Sequence, residues 1–122
     1  MKHIEHDIQV AIHRLLSAYN ILHFAVPNGG LRNIKTASYL KAEGTLAGVA
    51  DLVLILPQRV VFVEVKTDKG KQSDSQKTFQ ECVSILGFEY LIWRNIDDCT
   101  RFIETLPQYV HKIKWSKWTQ RI

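Results

Sequence analysis

Residues 51–66 read DLVLILPQRVVFVEVK, two runs rich in Val, Ile and Leu joined by Pro57-Gln58. Such residues favour extended chain, and a proline followed by one further residue marks a tight turn between strands. The pattern gives a β-hairpin, with strands expected over 49–56 and 60–66. Both faces of both strands are apolar, so neither side meets water, as in a central sheet with helices packed on it. A turn centred on Pro57-Gln58 sets Leu56 opposite Arg59. Counting back along both strands then sets Asp51 opposite Glu64. A slip of one residue would break that pairing, so the register rests on the turn.

The flanking sequence supplies the other layers. Ile4, Ile8, Ile12, Leu15, Leu16 and Tyr19 recur at helical spacing, so 3–19 reads as an amphipathic helix. Ile21 to Val26 is a short strand, stopped by Pro27-Asn28-Gly29-Gly30. Ile34 to Ala42 reads as a short helix with Gly44 just beyond its end. Ser73-Asp74-Ser75-Gln76 has the form of a capping box, opening a helix whose apolar stripe is Phe79, Cys82, Val83 and Leu86. Phe88 to Arg94 is a further strand. Asn95 or Asp97 then caps a helix running to Leu106, with Pro107 ending it. The expected class is α/β, a mixed sheet flanked by helices in the order helix, strand, short helix, hairpin, helix, strand, helix.

The chain has 122 residues, 46% of them hydrophobic and 23% charged, which suits a single folded domain over 1–122 and argues against disorder. A chain of this length needs no disulfide or structural metal to fold. Cys82 and Cys99 match no zinc or redox spacing and read as reduced thiols of a cytoplasmic protein. No apolar run approaches a membrane span, and Lys2, Glu5 and Asp7 are unlike a signal peptide. Sixteen Lys and Arg against twelve Asp and Glu give a net charge of +4, a modest excess that permits a polyanionic partner without requiring one. Residues 110–122 form a basic extension in which Lys112, Lys114, Lys117 and Arg121 alternate with Trp115 and Trp118. It suits a nucleic-acid-binding arm or a segment packed on the body or on a second subunit.

Charges inside apolar strands are costly unless paired or bound to metal. Opposed residues in an antiparallel pair have Cβ atoms about 4.5–5.5 Å apart, so Asp51 and Glu64 repel unless a cation lies between them. Lys66 lies two residues beyond Glu64 and shares its face. Two carboxylates at one sheet edge suit a hard divalent cation such as Mg²⁺, and an ammonium there suits an attacking water or the charge growing on a phosphate. The competing reading of these three residues is a structural salt-bridge cluster.

Asp51 with Glu64-Val65-Lys66 resembles the PD-(D/E)xK nuclease motif. The ordered set Pro27-Asn28-Gly29-Gly30, Leu40-Lys41-Ala42-Glu43-Gly44, Ala47-Gly48-Val49-Ala50-Asp51-Leu52, Glu64-Val65-Lys66 and Ser73…Gln76…Phe79 is similar to the VRR-Nuc (virus-type replication-repair nuclease) family, from Glu5 to about Arg94. Ala50 departs from the proline that many members carry before the aspartate. The resemblance implies a restriction-endonuclease-like fold and Mg²⁺- or Mn²⁺-dependent hydrolysis of DNA phosphodiesters. It also implies a stand-alone, phage-type homodimer acting on branched DNA such as four-way junctions. A monomeric flap or single-strand nuclease and an inactive DNA-binding module are the rival readings.

Carried over residue by residue, the resemblance makes Asp51, Glu64, Lys66 and Gln76 catalytic. It puts Glu5, Asp51, Glu64 and Val65 at the metal, and Gln76 beside Lys66 or the DNA. Glu5 also fits an ordinary solvated helix face, and Gln76 an ordinary capping residue. Arg32, Lys41, Lys69 and Lys71 are the candidate DNA contacts, with simple surface charge as the alternative. His6 and His13 share one side of the first helix, but no cysteine or acid completes a zinc set in the sequence. Gly44 to Gly48 lacks the ending of a P-loop and reads as a turn.

Overall fold

The computed structural model describes residues 4–27 and 34–113. The elements are α1 (Ile4–Ala18), β1 (Leu22–Ala25), α2 (Ile34–Ala42), β2 (Leu52–Leu56), β3 (Arg59–Val65), α3 (Asp74–Ile85), β4 (Glu89–Trp93) and α4 (Ile96–Glu104), followed by a 3₁₀ turn, Gln108–Lys112. The strands lie in the order β1-β2-β3-β4. The first two pairings are antiparallel and β3–β4 is parallel, so the sheet is mixed.

The hairpin has the register read from its sequence, running from Leu56 opposite Arg59 to Leu52 opposite Val63. Pro57 supplies the fixed φ of the first turn position and Gln58 takes a φ of 58° at the second. β2 is shorter than the expected 49–56, because the chain before it turns at Gly48, with a φ of 84°. A Cβ there would sit 2.3 Å from the Ser75 carbonyl oxygen, so only glycine lets this loop lie against the start of α3.

Alternation sorts the strands into two faces. Leu52, Leu54, Leu56, Val61, Val63, Val65 and Trp93 are buried on one of them. They join Ile12 and Leu16 of α1 and Cys99, Phe102 and Ile103 of α4 in a continuous core. Phe62, Glu64 and Tyr90 face the other way, towards α3, where the Phe79 ring meets Phe62 at 5.3 Å and Tyr90 at 6.1 Å.

The caps mostly follow the sequence. Ser73 and Gln76 form the reciprocal capping box of α3, and Asn95, rather than Asp97, caps α4. α4 stops at Glu104, before the expected Leu106. Pro107 becomes the cap of the 3₁₀ turn. The α3 stripe is narrower than its sequence suggests: Phe79 and Val83 face the sheet, Cys82 is exposed, and Leu86 lies past the last turn, 71% exposed. Both cysteines are free. Among the described residues no helix is long and apolar enough to cross a membrane.

The start of the basic extension packs on the body. Val110 is buried, and Asn20 at the end of α1 donates to the carbonyls of His111 and Ile113 at 3.3 and 2.9 Å. Trp115 and Trp118 lie outside the described residues.

Candidate active site

Asp51, Glu64 and Lys66 meet where β2 begins and β3 ends. Asp51 stands one residue before β2. Its backbone carbonyl accepts from Val26 N–H at 2.8 Å, continuing the β1–β2 pairing. Its Oδ2 accepts from Val65 N–H at 2.7 Å. The carboxylate thus takes the place of the next backbone acceptor, ending the ladder and fixing the side chain beside Glu64. Val65 contributes through its backbone, because its side chain is buried on the opposite, core face.

Glu64 is 1% exposed, and in the described residues it is the buried charged side chain of the core. Buried carboxyls need partners. Oε1 accepts from the Tyr90 hydroxyl and Oε2 from Gln76 Nε2, each at 2.9 Å. Burial, with Asp51 beside it, pushes this carboxyl up to about 8, against smaller opposing effects of Tyr90 and Lys66. Burial is the larger cause, and the Asp51 carboxylate adds to it.

Gln76 has two jobs. Its Oε1 accepts from Ser73 N–H at 2.8 Å, closing the capping box, and its amide nitrogen holds Glu64. Where the resemblance set Gln76 beside Lys66 or the DNA, the structure puts its amide on the acid Glu64, because the first turn of α3 points its third residue at that carboxyl. Tyr90 is the residue that sequence reasoning missed. Its hydroxyl also accepts from Gln72 Nε2 at 3.3 Å, and Gln72 donates to Gln80 at 3.0 Å. Burial and Glu64 push the Tyr90 phenol up, so it stays a donor. The available signal was a hydroxyl-tipped aromatic inside an otherwise apolar strand, which needs a partner when buried.

Lys66 is half-buried and continues the sheet by donating its N–H to the Trp93 carbonyl at 3.0 Å. Lys69 and Lys71 are exposed on the loop that follows, and Lys41 is exposed in the last turn of α2. Arg32 lies outside the described residues. Glu5 is exposed in the first turn of α1. Among the described residues no three His, Cys, Asp or Glu side chains converge as a metal set, so Glu5 is not gathered with the two acids. His13 Nδ1 meets His23 Nε2 at 2.8 Å, and His23 Nδ1 meets the Ile21 carbonyl at 2.7 Å.

The pair Asp51–Glu64 nonetheless fits a hard divalent cation. Mg²⁺ is commonly held by one or two carboxylates, with water and phosphate oxygens as its remaining ligands. The raised Glu64 carboxyl is the charge deficit that such an ion would relieve.

Two solved structures share this architecture. One, named "VRR_NUC domain", is 22% identical, with a TM-score of 0.63 over 85% of this chain and 98% of that chain. The other, named "VRR_NUC domain protein", is 18% identical, with a TM-score of 0.66 over 83% of this chain and 85% of that one. This chain has the VRR-Nuc fold. No family model matches its sequence, and no curated protein does. In this fold the hairpin, the first turn of α3 and β4 bring together Asp51 with Glu64, Gln76, and Tyr90.

Proposed function

We propose that the protein is a Mg²⁺- or Mn²⁺-dependent endonuclease that hydrolyses phosphodiesters in branched DNA, four-way junctions included, as a homodimer. The observation that carries this reading is the buried Glu64 carboxyl, held by Tyr90 and Gln76 beside Asp51 at the open end of the hairpin. A structural ion-pair cluster would match each acid with a cation. Here one acid faces another, and burial with that neighbour pushes its carboxyl up.

Asp51 and Glu64 are the residues that would hold the ion, which supplies Lewis acidity to the scissile phosphate and to water. Gln76 and Tyr90 each hold one Glu64 oxygen, fixing the carboxyl beside Asp51. Lys66, on the same strand face, offers an ammonium to the attacking water or to charge building on the phosphate oxygens. Lys69 and Lys71, exposed just beyond, suit phosphate contacts on the flanking strand. Symmetric cutting of a junction calls for two sites related by a two-fold axis. Exposed Ile85, Leu86 and Phe88 lie at the far end of the sheet from the acids, where pairing of two copies would leave both sites open.

The test is a cleavage panel of labelled junction, flap, single-strand and plain duplex DNA in Mg²⁺ and in Mn²⁺. Wild type is expected to cut the junction in either ion and Asp51→Ala to leave it intact while still binding it. Failure of wild type on every substrate, or unimpaired cutting by Asp51→Ala, would overturn the reading. Sizing at micromolar concentration with and without junction tests the dimer: a monomer in both conditions overturns it and favours flap cleavage.

A further inference from the structure

Arg94, the residue after β4, sets its guanidinium on backbone carbonyls. Nη1 donates to the carbonyls of Thr67 at 2.6 Å and Gly70 at 2.8 Å, and more weakly to Asp68 at 3.2 Å. These belong to the turn that follows Lys66, which Gly70 N–H closes onto the Thr67 carbonyl at 3.1 Å. The turn lies beside the lysine stem. A methyl on Gly70 would lie 3.4 Å from Lys66 Cδ and 3.1 Å from Thr67 Oγ1. Arg94 is anchored from behind, because its backbone N–H donates to Asp98 Oδ2 at 2.8 Å in the first turn of α4. Asp98 is itself held by its N–H on the Asn95 cap at 3.0 Å and by its Oδ1 on Arg101 at 2.6 Å.

We infer that Arg94 is a positioning residue for Lys66: it ties the 67–70 turn to the head of α4, and the turn walls in the lysine stem. Hydrogen bonds from a charged donor are stronger than neutral ones, and a guanidinium carries donors in a fixed planar fork. A lysine stem is long and flexible, so an ammonium that acts at a defined point needs its stem confined. Arg94 meets that need through the backbone of the turn. The catalytic consequence rests on the nuclease reading above, while the confinement of Lys66 does not.

The test compares full-length wild type, Arg94→Ala and Arg94→Lys. Amide exchange over residues 66–71 and NMR relaxation of the Lys66 side-chain methylenes are measured without DNA, Mn²⁺ binding by calorimetry, and junction cleavage as kcat and KM. Arg94→Ala should speed exchange at Thr67–Gly70, loosen the Lys66 side chain, leave Mn²⁺ affinity unchanged and lower kcat by roughly 10- to 100-fold with little change in KM. Arg94→Lys should fall between. Should Arg94→Ala fold poorly, Gly70→Ala adds a methyl to the same wall with Arg94 in place, and is expected to change Lys66 side-chain motion while sparing Mn²⁺ binding. An unchanged Lys66 side chain in both variants overturns the inference whether or not the protein cuts DNA. So does a rise in KM at constant kcat, which would make Arg94 a DNA contact. Absence of cleavage by wild type would instead sink the nuclease reading.

Discussion

Tyr90→Phe isolates one atom of the site. The substitution keeps the ring that Phe79 meets at 6.1 Å and removes only the hydroxyl that donates to Glu64 Oε1 at 2.9 Å. Gln72 retains its bond to Gln80, so it is not stranded. Glu64 is almost wholly out of water and has no solvent donor to replace the lost one. A hydrogen bond to a charged group is worth about 1.5–3 kcal/mol. That loss falls on the carboxylate form, which is the form that binds metal. At about 1.4 kcal/mol per decade, Mn²⁺ affinity at neutral pH should drop about 10- to 100-fold. Above about pH 8 the metal-free carboxyl of wild type is already ionised and needs the phenol with or without metal, so the defect should shrink as pH rises. Calorimetric titration of Mn²⁺ into wild type and Tyr90→Phe at neutral pH and at pH 9 measures both effects. Equal affinities at neutral pH would refute the claim that Tyr90 prepares Glu64 for a cation.

Other expectations address the fold, the acid pair and the nucleic-acid surface. Gly48→Ala should destabilise the protein by more than about 2 kcal/mol in urea melts, since a Cβ 2.3 Å from the Ser75 carbonyl demands movement of the loop or of α3 and the φ of 84° adds strain. The raised Glu64 carboxyl sets a pH dependence for metal-free protein. Between its ordinary value and about 8 the folded state keeps a proton that the unfolded state releases, so stability is greatest below that window and falls as pH rises through it. Glu64→Gln should flatten this slope in melts run across pH 4–9, and a slope equal to that of wild type would place its origin elsewhere. If Lys69 and Lys71 hold phosphates, replacing both with Ala should weaken binding of every DNA structure alike and make the logarithmic salt dependence shallower by about 1.8. Glu89→Gln, which breaks the half-exposed pair with Arg59, should cost no more than about 1 kcal/mol in the same urea melts.

The hairpin was legible because its turn is short and its strands are apolar throughout, so Leu56 opposite Arg59 fixes every later pair through Leu52 opposite Val63. That register carried Asp51 to Glu64 without any tertiary information. The strand limits were less legible. Asp51 spends its carboxylate on Val65 N–H and Gly48 turns the chain, neither of which shows in a run of apolar residues. Gln76 was readable as a cap, but its second contact depends on where α3 rests over the sheet. Tyr90 lies in, and Arg94 just after, a strand that joins β3 by a parallel crossover, and sequence spacing does not say which residues there reach Glu64 or the turn after Lys66. Glu5 could be placed on its helix by periodicity, while its distance from the acids could not. The exposure of Leu86 likewise follows from where α3 ends.

The central claim is that Asp51 and Glu64 together grip a divalent ion used to cut DNA. Anomalous diffraction from crystals soaked in Mn²⁺ at the concentration that supports cleavage tests it most directly. A single strong peak between the two carboxylates, within bonding distance of both and lost in Asp51→Ala crystals, is the result expected. Density elsewhere, or none in crystals of protein that cuts DNA in the same Mn²⁺, would contradict the account.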